Sequence, residues 1–375
     1  MQNKITRRDW LVGSSAVAGG LMLAGAAGAQ DMSSMMNAGM PISKEDPIRF
    51  TNNENPYGIN PKAKKAMIEA HDKAHMYQFS TRRNMEKIVA DMENVPVECI
   101  ASGAGSTEFL MAAGAICGFT GGNLVAPYPT YNAITRYAKR FGGTVTPVPV
   151  NEDLAVSLDD LRSAVTAETT AIYICNPNNP IPTIVEKTSL TAFCLEMSKK
   201  AMVIIDEAYF EYATDDAYGS MISLAKDNPN ILVLRTASKI HAFASIRVGF
   251  AFGHPDTIKS IRRFSSMTAS YPAMMGAIVS YQDPKYQKFI IDKNNESMEI
   301  LYKMFEDLGR RYIKSNSNFT YFHAGHDAKV VYDKLLESGC MVGRPYQPFA
   351  DWVRISTAKP EEMKYLVEVY KRDFG

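Results

Sequence analysis

The chain of 375 residues has almost no surplus of either charge: 41 basic side chains stand against 40 acidic ones, a net charge of +1. Such balance gives no electrostatic reason to bind nucleic acid or an anionic membrane surface. Cysteine is sparse. Cys99, Cys117, Cys175, Cys194 and Cys340 are widely scattered, with no Cys-x-x-Cys pair, so they read as buried free thiols with no metal site. No internal repeat and no helix-turn-helix module is present. The apolar run Leu11 to Ala26 is short and rich in glycine, which argues against a stable membrane span. What is present, a 46% hydrophobic composition over this length, suffices for one large core and a smaller lobe.

The first 29 residues carry the marks of a targeting segment. Arg7-Arg8 sits in Thr6-Arg-Arg-Asp-Trp-Leu11, the apolar run follows, and Ala27-Gly28-Ala29 offers a small-residue cleavage site before Gln30. This pattern predicts a twin-arginine signal peptide and a periplasmic location, with an uncleaved membrane anchor as the alternative. Residues 30–46 read as a flexible linker. Its methionines Met32, Met35, Met36 and Met40 are of a type that can hold Cu(I), but a tether is the simpler account.

From residue 47 the signals alternate between strand and helix. Apolar runs of strand length end at Ser102, Ala126, Val148, Cys175, Ile205, Leu234 and Phe252, and helical stretches separate several of them. That alternation predicts an α/β fold with a mostly parallel sheet covered on both faces. After about Pro284 the pattern changes to long helical runs flanking short strands, which predicts a second lobe over 285–375.

The residues able to do chemistry stand where strands end. Ile231–Leu234 delivers the chain into a turn carrying Thr236, Ser238 and Lys239, with Arg247 eight residues beyond the lysine. A lysine held beside hydroxyls and a guanidinium suits imine chemistry on a phosphorylated aldehyde. Gly103-Ala-Gly-Ser-Thr107 joins a strand to a helix, a setting in which free N–H groups and the helix dipole favour an anion. Asp206 ends the apolar run Met202–Ile205, and a carboxylate there is costly without a cationic partner. Tyr131 offers a ring that could stack on a flat heterocycle.

Taken in order, Asn53-Glu-Asn-Pro-Tyr57-Gly58, Gly103-Ala-Gly-Ser-Thr107, Pro129-Thr-Tyr131, Asn176-Pro-Asn-Asn179-Pro180, Asp206-Glu-Ala-Tyr209, Ser238-Lys239 with Arg247, and Val353-Arg354-Ile355-Ser356 make a signature. It resembles that of the class I/II aminotransferases of fold type I, the histidinol-phosphate aminotransferase group in particular, over residues 48–372. The resemblance implies a large pyridoxal-phosphate-binding domain (76–284) built on a mostly parallel seven-stranded sheet. It further implies an N-terminal arm and small-domain segment (47–75) and a smaller α+β C-terminal domain (285–375).

The resemblance also implies roles. Lys239 would bind pyridoxal 5′-phosphate and carry the substrate proton. Asp206 would pair with the pyridine nitrogen, Tyr209 and Asn179 with the ring oxygen, and Tyr131 would stack on the ring. The backbone of Ala104, Gly105 and Ser106, with Ser238 and Arg247, would hold the phosphate. Arg354, aided by Asn179 and Tyr57, would receive the substrate. Tyr77 would reach the site of a partner subunit in a homodimer. The activity implied is ping-pong transfer of an amino group between an amino acid and a 2-oxo acid. Decarboxylation or C–S lysis on the same fold is the alternative, and a cofactor-binding sensor a remoter one. Two departures from the family pattern stand out: Ile181-Pro182-Thr183 after Pro180, and Gly343 before Arg344 where a Val-Arg pair is usual. With the export signal, the second points away from histidinol phosphate as the substrate.

Overall fold

A computed structural model describes residues 42–265 and 268–375. The export-signal reading and most of the linker reading fall on residues outside these. The described chain from Ser43 forms one compact unit. Its strands are β1 (Ile48–Phe50), β2 (Ile100–Gly103), β3 (Asn123–Tyr128), β4 (Thr144–Pro149), β5 (Thr169–Cys175) and β6 (Met202–Asp206). They continue with β7 (Ile231–Thr236), β8 (Gly249–Phe252), β9 (Tyr312–Ile313), β10 (Phe319–His323), β11 (Cys340–Val342) and β12 (Trp352–Ser356).

Seven strands form the central sheet in the order β2-β8-β7-β6-β5-β3-β4. All are parallel except β8, which runs antiparallel to β7 and β2. The mostly parallel seven-stranded sheet expected from the sequence is therefore present, and its composition follows from its surroundings. Strands covered on both faces cannot alternate polar and apolar residues, and every residue of β7 is buried. The outermost strand β4 carries Pro147 and Pro149, residues that cannot donate to a ladder and so suit an edge. Helices cover both faces. One face is packed by Phe109, Leu110 and Ile134 among others, the other by Leu190, Phe193 and Met197.

The C-terminal segment builds a separate core. Helix Pro284–Asp307, capped at its start by the Asp283 carboxylate, packs with helix Pro360–Phe374 around the antiparallel sheet β12-β10-β9. β1 joins this region by running parallel to β11. Sequence periodicity missed β1, β9 and β11 because strands of two or three residues leave no readable alternation. It also missed helices Pro61–Ala70, Phe79–Met92, Pro255–Arg262 and Tyr271–Tyr281. The five cysteines are buried and unpaired.

One buried polar cluster braces the sheet behind the strand ends. Arg235 in β7, only 4% exposed, pairs with Glu207 (Nε to Oε2, 3.1 Å) and with Glu93. Its guanidinium carbon lies 3.3 Å from the Phe210 ring centre. Glu207 is completed by the Ser220 hydroxyl and the Met221 amide. Burial raises the Glu207 pKa and Arg235 opposes that rise. A buried pair adds little over apolar packing, but removing one partner strands the other charge. Glu207→Ala is therefore expected to destabilise the protein by about 3–5 kcal/mol, read as a lower urea midpoint. An unchanged midpoint would show that Glu93 alone satisfies Arg235.

Candidate active site

The ends of the parallel strands open onto one cleft of about 930 Å³. Ligands in open α/β sheets bind at this edge because the turns that leave the strands converge there. Five segments that are remote in sequence meet in it: the turn after β1, the start of helix Ser106–Phe119, the ends of β6 and β7, and β12.

Asp206 closes β6 and is 1% exposed. Its Oδ2 accepts a hydrogen bond of 3.0 Å from the Tyr173 hydroxyl, while its Oδ1 is buried without a partner. Burial lifts its pKa to about 6, against the hydrogen bond from Tyr173. An unmatched carboxylate oxygen in such a place costs free energy until a donor arrives. Tyr173 lies one strand away, on the same face. Its hydroxyl was a readable signal, the one polar group in an aliphatic run.

Lys239 stands past the end of β7. Its Nζ donates to the Asn52 carbonyl at 3.2 Å and lies 5.4 Å from the Tyr209 ring centre. Desolvation first, and the Arg354 charge second, lower its pKa to about 8. At neutral pH a useful fraction of the amine is therefore unprotonated and nucleophilic.

Tyr209 is held from two sides: its hydroxyl accepts from Asn53 Nδ2 at 2.9 Å and from Asn179 Nδ2 at 3.1 Å. Asn53 was missed as a site residue, although it opens the first motif. It adopts a left-handed backbone (φ 55°), which asparagine tolerates better than most residues. Its amide accepts the Ser356 hydroxyl of β12 at 2.7 Å. One side chain thus ties the Tyr209 hydroxyl to the small sheet.

Arg354 in β12 is 6% exposed. Its Nη1 donates to Asn179 Oδ1 at 2.8 Å, and its Nε is buried without a partner. The departure Ile181 does not displace Asn179. Ile181 is fully buried against Leu154, Tyr321 and Trp352, and Asn178 N–H closes the turn on the Thr183 carbonyl at 3.0 Å.

A cluster of hydrogen-bond donors lines the same cleft. Arg247, in the left-handed region at φ 68°, donates from Nη1 to Ser238 Oγ at 3.2 Å, and Thr236 Oγ1 donates to the same hydroxyl at 2.9 Å. A Cβ on Gly105 would fall 2.2 Å from Arg247 Nη2, so only glycine leaves the guanidinium its place. Ser106 and Thr107 begin the helix, where N–H groups have no intrahelical acceptor. The Ala104 and Gly105 amides are engaged already, by Glu108 Oε2 at 2.6 Å and by the Gly103 carbonyl at 2.9 Å. Of that predicted backbone trio, Ser106 is the one whose amide has no acceptor among the described residues.

Tyr131 lines the cleft beside Thr107. Tyr57, expected there, does not. Tyr57 packs its ring edge-on to Phe289, 5.2 Å between centres, away from the cleft. Tyr77, expected at a partner subunit's site and not at this one, is 89% exposed and stacks on Phe79 at 5.4 Å. Arg344 is exposed and likewise outside the cleft.

Known proteins resemble this chain over most of its length. The family pattern described as aminotransferase class I and II matches residues 45–369. Histidinol-phosphate aminotransferase of Caldicellulosiruptor saccharolyticus is 30% identical over 343 residues, covering 89% of this chain and 95% of that protein. The enzyme of the same name from Brevibacillus brevis is 30% identical over 329 residues, covering 86% and 89%. The structure of histidinol-phosphate aminotransferase from Sinorhizobium meliloti in complex with pyridoxal 5′-phosphate superimposes with a TM-score of 0.81. It is 25% identical and covers 87% of this chain and 91% of that one. The chain belongs to the class I and II aminotransferases.

Proposed function

We propose that this protein moves an amino group between an amino acid bearing an α-carboxylate and a 2-oxo acid, using pyridoxal 5′-phosphate. One observation carries the reading. The Asp206 oxygen without a partner, the Lys239 amine with its lowered pKa and the Arg354 Nε without a partner all belong to one cleft.

The residues fit the cofactor. A protonated ring nitrogen would supply the donor that Asp206 Oδ1 lacks, and its positive charge would keep the carboxylate ionised against the effect of burial. Tyr209 and Asn179, joined by a hydrogen bond in the cleft, would address a ring oxygen, and Tyr131, which lines the same cleft, would stack on the ring. The Arg247 guanidinium, the Ser238 hydroxyl and the first amides of helix Ser106–Phe119 would hold the phosphate. When bound, pyridoxal phosphate supplies an aldehyde for an amine to capture and a ring that takes up the electron pair of a broken Cα–H bond.

The protein's own groups do the rest. Lys239, its pKa lowered by burial and by Arg354, would hold the cofactor's aldehyde and would carry a proton at the substrate α-carbon. Arg354 receives the α-carboxylate, its planar fork held by Asn179 so that Nε remains free to donate. Asn53 and Ser356 fix the Tyr209 hydroxyl, so its hydrogen bond is set before substrate arrives. The aminotransferase names of the 30% identical relatives favour amino transfer over decarboxylation or C–S lysis.

Sharing of the site between two copies is part of this proposal. A tyrosine and a phenylalanine stacked at 5.4 Å in full exposure, Tyr77 and Phe79, make a surface that a second subunit would cover. Export is a further part, resting on Arg7-Arg8, the weak apolar run and Ala27-Gly28-Ala29.

Two outcomes follow. With a panel of L-amino acids, 2-oxo acid should form only when an oxo-acid acceptor is present, one acceptor aminated per oxo acid released. Carbon dioxide, or ammonia and a thiol, released without an acceptor would replace amino transfer by decarboxylation or lysis. For export, N-terminal sequencing of protein from fractionated cells should find a mature start near Gln30 in the periplasm; an intact Met1 in the cytosol would contradict it.

A further inference from the structure

The turn Gly343–Phe349 reaches over Arg354 with an aromatic ring that none of the roles above uses. The Arg354 guanidinium carbon lies 5.5 Å from the Phe319 ring centre and 5.1 Å from that of Tyr346. Phe319 belongs to β10, whose ladder with β12 pairs Tyr321 with Arg354. Its ring is fully buried and packs edge-on against Tyr209. Phe319 therefore cannot move. Tyr346 is different: it is half-buried, lines the cleft, and comes from a turn instead of the sheet.

That turn is nonetheless anchored. Gly343 N–H donates to the Arg354 carbonyl at 2.9 Å. A Cβ at Gly343 would fall 2.8 Å from that same oxygen and 3.3 Å from Arg354 Nε, so a side chain there would push the turn away from the arginine. At its far end Phe349 N–H donates to the Tyr346 carbonyl at 2.9 Å. The Phe349 ring meets Tyr321 at 6.3 Å, and Tyr321 stacks on Trp352 at 5.3 Å. The turn is thus pinned to β10 and β12 on both sides of Tyr346.

We infer that Tyr346 is a positioning residue for substrate binding: with Phe319 and Asn179 it clamps the Arg354 guanidinium, which lines the cleft, in the orientation that receives the incoming carboxylate. The inference rests on the reading of Arg354 as the carboxylate receptor. The chemistry is plain. Arginine loses considerable rotamer freedom when it binds, and a ring face presented to the guanidinium attracts the cation and removes that freedom in advance. A hydrogen bond at Nη1, one fixed ring and one anchored ring hold the guanidinium, and a carboxylate is the natural acceptor for the donors it keeps toward the cleft. Because the clamp acts on ground state and transition state alike, it should govern substrate affinity and not the maximal rate.

The test uses the cofactor-loaded protein and the L-amino acid that turns over fastest in the panel. The probe is the rate at which the cofactor absorbance changes after mixing, as a function of amino-acid concentration. For Tyr346→Ala the half-saturation concentration should rise about tenfold, the size of a well-desolvated cation–π contact, while the maximal rate stays within about twofold. Tyr346→Phe keeps the ring face and should restore half-saturation to near the original value. Arg354→Lys, measured alongside, should weaken binding at least as much as Tyr346→Ala. Unchanged half-saturation in Tyr346→Ala with a weakened Arg354→Lys overturns the clamp and leaves the carboxylate role intact. Unchanged half-saturation in both overturns that role, and the clamp with it. A Tyr346→Phe protein as weak as Tyr346→Ala overturns the clamp too, since the hydroxyl and not the ring would then be responsible. Cofactor content per subunit, measured for each variant, separates these results from misfolding.

Discussion

A carboxylate buried at the end of a parallel strand is the constraint from which the rest of the site follows. Asp206 is almost fully covered, has one hydrogen bond from Tyr173 and holds its second oxygen without a donor. Such an arrangement is unfavourable by itself. The protein tolerates it because β5, β6 and β7 are secured independently, by apolar packing on both faces and by the Arg235 cluster behind the strand ends. The adjacent acidic pair divides the work. Glu207 faces away into that brace, and Asp206 faces the cleft.

Distant segments are tied to the surroundings of that carboxylate by hydrogen bonds. The left-handed turn after β1 brings Asn52 to the Lys239 amine and Asn53 to both Tyr209 and Ser356. Asn179 bridges Tyr209 and Arg354 with one amide. The central sheet and the small sheet thereby contribute to one hydrogen-bonded chain running from Ser356 through Asn53, Tyr209 and Asn179 to Arg354. Linked networks of this kind hold their members in place better than separate bonds do. Left-handed backbone occurs at Asn52, beside Lys239, at Asn53 within this chain and at Arg247 beside Ser238, as well as at Asn94, Leu154 and Ala242 outside it.

The sequence was most legible where physics is local. Buried parallel strands announce themselves as continuous apolar runs, so the sequence places β5 and β6 to within a residue and β7 to within two, and the polar residues at and beyond their ends mark Asp206, Lys239 and Arg247. Legibility failed where pairing is remote. β1 and β11 are three residues each, and only their mutual pairing makes them strands. Tyr173 and Asn53 gain their roles from neighbours across a sheet or from another sheet, which no periodicity records. Tyr346 became visible only once the turn lay over Arg354. The expected placement of Tyr57 in the pocket erred for a related reason: its ring finds Phe289 of a helix more than 200 positions onward.

The central claim is that the Lys239 amine is the group that captures the cofactor aldehyde. Borohydride treatment of the cofactor-loaded protein followed by peptide mapping tests it most directly, because reduction turns that attachment into a permanent pyridoxyl mark. The account predicts the mark on Lys239 alone. A mark on Lys199, Lys200 or Lys226, or no mark on any lysine, would contradict it.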